Sequence, residues 1–217
     1  APIRTKPRPT YDEYNLEYSA EGKHTPYLIR KYFQTKIDKE RFLGFINKFG
    51  KESNLFDTIR TRNYGAKVIS PFELNVGLTG SFLKITNVGY GVSQVLPVIV
   101  EIFARPESAC FFIQQPEVHL HPKAQAALGT LFCELAMFEK KVFFIETHSD
   151  FIIDGFRLKY RDNNLHQSNS QIIFFERNHS GNKLFTIPIM QNGDLPESQP
   201  KGYRDFFVNH EMRVLGY

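Results

Sequence analysis

The sequence predicts an α/β fold: a sheet with parallel strands flanked by helices, joined to a small basic N-terminal lobe. Three observations carry that expectation. Ala109–Ile113 and Lys141–Ile145 have the length and apolar content of strands buried on both faces. Each is followed by a polar loop and then a segment of helical periodicity, the alternation that sets parallel strands side by side. Charge is uneven: residues 1–62 carry 13 Lys and Arg against 8 Asp and Glu, whereas 63–217 carry 14 against 15. The basic excess therefore marks off 1–62 as a lobe or segment distinct from 63–217; it could serve a polyanion such as nucleic acid, but a solvated basic face is the commoner explanation of an excess this size.

At 217 residues the chain can bury a core without staples, and 41% hydrophobic with 23% charged residues excludes a disordered or low-complexity chain. No run of eighteen apolar residues occurs, and the basic, proline-rich Ala1–Thr10 has no apolar stretch. Neither a membrane span nor a signal peptide is expected, and no membrane partner. Cys110 and Cys133 fall inside expected core elements, which suits a reducing, cytoplasmic setting.

In chain order, Lys36–Phe49 is a helix, because Ile37, Phe42, Phe45, Ile46 and Phe49 form one apolar stripe. Val68–Ser70, Glu73–Val76 and Ser81–Thr86 read as short strands punctuated by Pro71, Gly77 and Gly80. Ser93–Ala104 is a helix capped by Ser93. Pro122–Phe138 follows, with proline at a permitted first-turn position. After the second buried strand a helix runs to about Tyr160. Gln171–Glu176 and Lys183–Pro188 are strands around a turn at 178–181, and Asp205–Leu215 is a closing helix. The phenylalanines, including Phe143-Phe144 and Phe174-Phe175, are assigned to core packing. Tyr11, Tyr14, Tyr18, Tyr27 and Tyr32, interleaved with Arg and Lys, suit a packed lobe better than base stacking.

Chemistry gathers where strands end. The first buried strand runs into Gln114-Gln115-Pro116-Glu117-Val118-His119-Leu120-His121-Pro122, and the second into Glu146-Thr147-His148-Ser149-Asp150. If the strands are neighbours, a carboxylate, imidazoles and carboxamides meet at one edge. The plainer alternative is that Glu117 and the histidines cap helices.

Together these two segments resemble the C-terminal half of ABC-type ATPases of the RecF/SMC-like group, predicted AAA ATPases related to the ATPase part of overcoming-lysogenization-defect nucleases. Asn87-Val88-Gly89-Tyr90-Gly91-Val92-Ser93-Gln94 looks like that group's degenerate signature motif. Pro2-Ile3-Arg4 and Gly193-Asp194-Leu195 fit its flanks, so the resemblance covers 60–217 well and the start loosely. It implies a partial ABC-ATPase-like sheet, with ATP and Mg²⁺ as cofactors of the complete protein. The strand at 109–113 is then the Walker B strand. Gln114 stands at the Mg²⁺-holding acid and Gln115 at the general base. His119 and His121 belong to the D-loop, and His148 is the switch histidine facing the γ-phosphate. Gly91, Ser93 and Gln94 serve nucleotide on a second head. Implied partners are a homodimer of heads and DNA or an effector protein, and the implied setting is prokaryotic, with antiviral defence among the roles the resemblance allows.

Two departures qualify that picture. A carboxamide at both 114 and 115 replaces the charge a hard cation prefers, so Glu117 is the candidate for residual base activity. No GxxxxGK[ST] occurs either: Gly44–Glu52 has the wrong spacing and lies in the expected helix. The expectation is a chain that lacks the Walker A half and is inactive alone, with that half as its first partner. After Asp150 no Asp-x-Asp follows, which argues against Toprim-type nuclease chemistry. Two other functions compete: a metal-dependent hydrolase built on Glu117, His119, His121, His148 and Asp150, and a non-hydrolysing interaction module with a degenerate nucleotide site.

Overall fold

The computed structural model describes residues 6–11, 16–67, 70–162, 170–179, 181–203 and 205–216. It confirms a mixed α/β fold with one parallel strand pair. The chain forms two compact units, Ala1–Phe156 and Arg157–Tyr217. The division expected at 62/63 falls inside the first, at the end of its first strand.

Helix α1 (Thr25–Tyr32) went unexpected: it is short, and its buried residues mix Thr25, Pro26 and Arg30 with Tyr27 and Ile29. Arg30 is buried because its guanidinium donates to the carbonyls of Ser70 at 2.7 Å and Lys67 at 3.1 Å and lies over the Phe72 ring. Helix α2 (Lys36–Ser53) starts at Thr35, whose hydroxyl accepts the Asp38 N–H at 3.1 Å, and ends at Asn54 in the left-handed region. Phe42, Ile46 and Phe49 are its buried face, as expected, and Ile37 stays exposed.

Strands β1 (Thr58–Asn63), β2 (Phe72–Leu78) and β3 (Ser81–Lys84) form an antiparallel sheet with β2 central. The basic Thr58-Ile-Arg-Thr-Arg-Asn63 carries little strand signal and is a strand because β2 pairs with it. The segment expected at 81–86 ends at Lys84 and turns into a 3-10 turn at Ile85–Asn87. Of the strand expected at 68–70, residues 68 and 69 lie outside the described residues. Tyr11 bridges to Phe72 and packs its ring on Tyr27, so these tyrosines do pack the lobe; Tyr18 is exposed and Tyr14 lies outside the described residues.

Helix α3 (Tyr90–Ala104) begins three residues earlier than expected. Gly89 is its cap, and Ser93 sits inside the first turn with its hydroxyl donating back to the Tyr90 carbonyl at 2.8 Å. Next come β4 (Cys110–Gln114), α4 (Pro122–Phe138), β5 (Val142–Glu146) and α5 (Asp150–Asp162). β4 and β5 are parallel neighbours. They are not buried on both faces as their composition suggests. Phe111, Ile113, Phe143 and Ile145 turn toward the core, where Phe132 of α4 meets Phe143. Cys110, Phe112, Val142 and Phe144 face outward: Phe112 is 79% and Phe144 54% exposed even though their rings stack at 4.8 Å. Apolarity on both faces is real, but only one is covered among the described residues. Cys133 is buried as expected, Cys110 is not.

The second unit carries the antiparallel pair β6 (Gln171–Asn178) and β7 (Gly181–Pro188), then α6 (Asp205–Val214). Phe175 is exposed on β6, so here too alternation overrides the core assignment. Within this unit Arg157 donates to the Gly193 carbonyl at 2.7 Å, and Arg161 pairs with Asp194. Among the described residues no helix is long and apolar enough to cross a membrane.

Two glycines set how α4 meets α5. A Cβ on Gly129 would stand 2.0 Å from the Ile152 carbonyl oxygen, and one on Gly155 2.1 Å from that of Ala126. Alanine favours a helix interior over glycine by about 1 kcal/mol, but here the obstacle is backbone and cannot swing aside. Gly129→Ala is therefore expected to destabilise by about 1–3 kcal/mol, measured by urea unfolding.

On the sheet, Glu73 is 2% exposed, with Lys84 Nζ at 3.0 Å and Arg62 at 3.7 Å. The Lys84 ammonium beside it holds its carboxyl below the usual range despite burial. A depressed folded pKa means stability that is present at neutral pH and is lost as pH falls through the folded value. Glu73→Gln is expected to cost about 1–3 kcal/mol at pH 7, with the gap to the parent narrowing below about pH 4 in unfolding curves taken across that range.

Candidate functional site

The register of β4 on β5 runs from Cys110 opposite Val142 to Gln114 opposite Glu146, so both strands end at the same level. Their loops leave side by side and are stitched together. Gln114 Nε2 donates to Glu146 Oε2 at 3.1 Å, and the Gln115 N–H donates to the Glu146 carbonyl at 2.8 Å. Gln115 takes a positive φ of 42°, which turns the chain sharply off the strand end. Glu117 reaches across to accept the His148 backbone N–H on Oε1 at 2.7 Å. Its other oxygen, Oε2, is buried without a hydrogen-bond partner.

A second seam lies behind the first. Ser149 caps α5 by accepting the Ile152 N–H at 3.2 Å and donates its hydroxyl to Gln125 Oε1 at 2.6 Å. Gln125 in turn donates to the Leu120 carbonyl at 2.7 Å. Each loop thus holds the other in place by charge-assisted and neutral hydrogen bonds.

The expected residues divide into groups. Gln114, Gln115, Glu117 and His148 are brought together, with the His148 ring exposed to solvent. His121 caps α4, its Nδ1 accepting the Ala124 N–H at 3.4 Å, so this ring does the helix-capping work that the plainer reading allowed. His119, at a φ of 68°, sets its ring edge-on to Tyr90 at 4.8 Å. Its carbonyl lies where a Cβ on Gly91 would come within 2.7 Å, so the start of α3 meets the loop backbone through a glycine because only a glycine fits. Ser93 and Gln94 are buried in the same helix, and Gln94 Nε2 has no hydrogen-bond partner. Among the described residues no group of three or more His, Cys, Asp or Glu is placed to hold a metal ion, so the residues of the metal-hydrolase alternative are not gathered around a point.

Glu146 and Gln125 were given no role from the sequence. Glu146 was visible as the first residue of the loop after the second strand, but it is the last residue of β5, and its partner is set by register across 32 positions of chain. Gln125 is one polar residue inside a helix, and nothing local marks it as a bridge.

Residues 10–153 match the family model for the AAA ATPase domain. The chain belongs to the AAA ATPase domain family. No curated protein matches it. Among solved structures it is similar to a chain from a study of the ATP-driven dimerization and DNA-stimulated activation of SMC ATPases, with 13% identity, TM-score 0.49, and coverage of 87% of this chain and 97% of that one. It is also similar to the Smc head domain with an extended coiled coil bound to the C-terminal domain of ScpA from Pyrococcus furiosus, with 11% identity, TM-score 0.46, and coverage of 89% of this chain and 44% of that one. A third is the Smc head bound to the C-terminal winged-helix domain of ScpA, with 14% identity, TM-score 0.47, and coverage of 75% and 49%. This AAA ATPase domain thus spans less than half of the last two. At such scores and identities the likeness bears on neither substrate nor partner.

The Glu117 bridge can be tested apart from any catalysis. Glu117→Ala leaves the His148 N–H without its acceptor and is expected to cost about 1–3 kcal/mol and to speed hydrogen exchange at that amide. Glu117→Gln keeps a carbonyl there and is expected to retain most of the protection.

Proposed function

We propose that this domain is part of an ATP-binding and ATP-hydrolysing head, to which it contributes the loops after β4 and β5 and the start of α3. The observation that carries this is the parallel pairing that puts Gln114, Gln115 and Glu117 beside Glu146 and His148, with Glu117 spanning the two loops. In this reading the exposed His148 ring faces the terminal phosphate, and Gln115 orients the attacking water. Glu117, one oxygen of which is occupied by the His148 amide, has the other left to accept that water's proton. The α3 start at Gly91 offers backbone N–H groups to nucleotide held by a second head. Ser93 and Gln94 support that turn from within, since their side chains are buried.

Mg²⁺ fits the oxygen donors at the strand ends, the Gln114 carboxamide and the Glu146 carboxylate, and when bound would neutralise phosphate charge. The sequence contains no phosphate-cradling loop, so the reading needs polypeptide that supplies one. The outward row of Cys110, Phe112, Val142 and Phe144 is an apolar surface suited to its arrival. Head dimerisation, action on DNA or on an effector protein, a role in defence and a cytoplasmic site of action extend the same reading. The paired glutamines and the exposed phenylalanines also favour a second reading, a non-hydrolysing interaction module that keeps the loops as a platform.

Calorimetry of ATP binding, with and without Mg²⁺, separates them when run on the chain alone and on the chain joined to a polypeptide carrying a phosphate loop. Little binding alone and clear binding when joined is expected, with turnover falling about 10²–10⁴-fold in Glu117→Gln. Absence of binding in both leaves the interaction module. Tight binding by the chain alone would reveal a phosphate site of a different kind.

A further inference from the structure

We propose that Glu146, at the end of β5 and facing Gln114 on β4, is the residue through which this chain holds the nucleotide's divalent cation. The inference rests on the ATP-binding reading and deepens it. Gln114, at the end of β4, has no charge to offer. Its register partner is Glu146, on the same outward face, and Gln114 Nε2 donates to Glu146 Oε2 at 3.1 Å. The Glu146 carbonyl is held as well, by the Gln115 N–H at 2.8 Å, so the acid is anchored at the strand end by backbone and side chain together.

The glutamine then has a physical reason. An acid at 114 as well as 146 would set two carboxylates at hydrogen-bond distance, and one would resist ionisation. A carboxamide removes that repulsion, orients its neighbour and leaves one full negative charge at the edge. In the same stitched pair of loops, Glu117 Oε2 is a buried acceptor with no hydrogen-bond partner, an unmet demand for a donor, water or cation. Among the described residues there is no cage of three or more His, Cys, Asp or Glu. That suits a hard cation held by one carboxylate, waters and nucleotide phosphates, in the manner Mg²⁺ prefers.

The test uses Mg²⁺ alone as probe, titrated into the 217-residue chain while NMR follows the Gln114 side-chain amide and the backbone amides of Gln115 and Thr147. Saturable shifts at these positions are expected. They should weaken about tenfold or more in Glu146→Gln, whose remaining spectrum reports whether the fold is kept, and return in the double variant Q114E/E146Q, which puts the acid on β4 instead. Shifts that persist in Glu146→Gln, fail to return in the swap, or are missing from the parent chain would overturn the assignment. ATP binding by the parent sequence in metal-free buffer, measured on the joined polypeptides, tests the underlying reading separately, because no cation takes part in it.

Discussion

Everything at the candidate site hangs on the parallel pairing of β4 with β5. Parallel strands leave the sheet at the same edge, so the two loops that follow them are neighbours by construction. The in-register match of Gln114 with Glu146 fixes the level at which both loops begin. A slip of β4 by one residue would turn Gln114 and Phe112 inward and Phe111 and Ile113 outward, and would part Gln114 from Glu146. Register therefore decides at once which residues are available to a ligand and which make the core.

The pairing is held from below by α4 and α5, and their spacing depends on an absence of side chain. Gly129 and Gly155 let the two helix backbones touch. Closeness there places the first turn of α5 within reach of Gln125, and through Ser149 it fixes the loop that carries His148. A packing feature deep in the unit thus becomes a positional constraint on an exposed imidazole. Among the described residues of this unit, the same layering leaves the opposite face of β4 and β5 uncovered, an apolar surface next to a polar edge on one small sheet.

Burial divides the polar residues by task. His121 is spent on a helix cap, and Ser93 on its own helix turn. Glu117 is divided, one oxygen structural and the other unmet. A residue of that kind is awkward to classify from a motif, since removing it disturbs the loop as well as any chemistry. Glu146 is the reverse case: its motif assigns it no role, and its claim rests on where the register puts it.

Much was determined by the sequence alone. The alternation of apolar runs with helical periods was enough for the α/β class. The two loops and the glycine-led helix start were enough for the resemblance that the family match bears out for residues 10–153. These are local signals, spacing and composition, that survive without a partner. What only the tertiary structure decided is pairwise. β1 is a strand because β2 pairs with it, and α1 is a helix whose buried arginine finds its carbonyls some forty residues away. The second faces of β4 and β5 are uncovered among the described residues because burial needs a covering element, which apolar composition requests but cannot supply. Hydrogen bonds such as Gln114 to Glu146 and Glu117 to His148 join residues about thirty positions apart, and no local pattern encodes a contact whose geometry is set by register and helix packing.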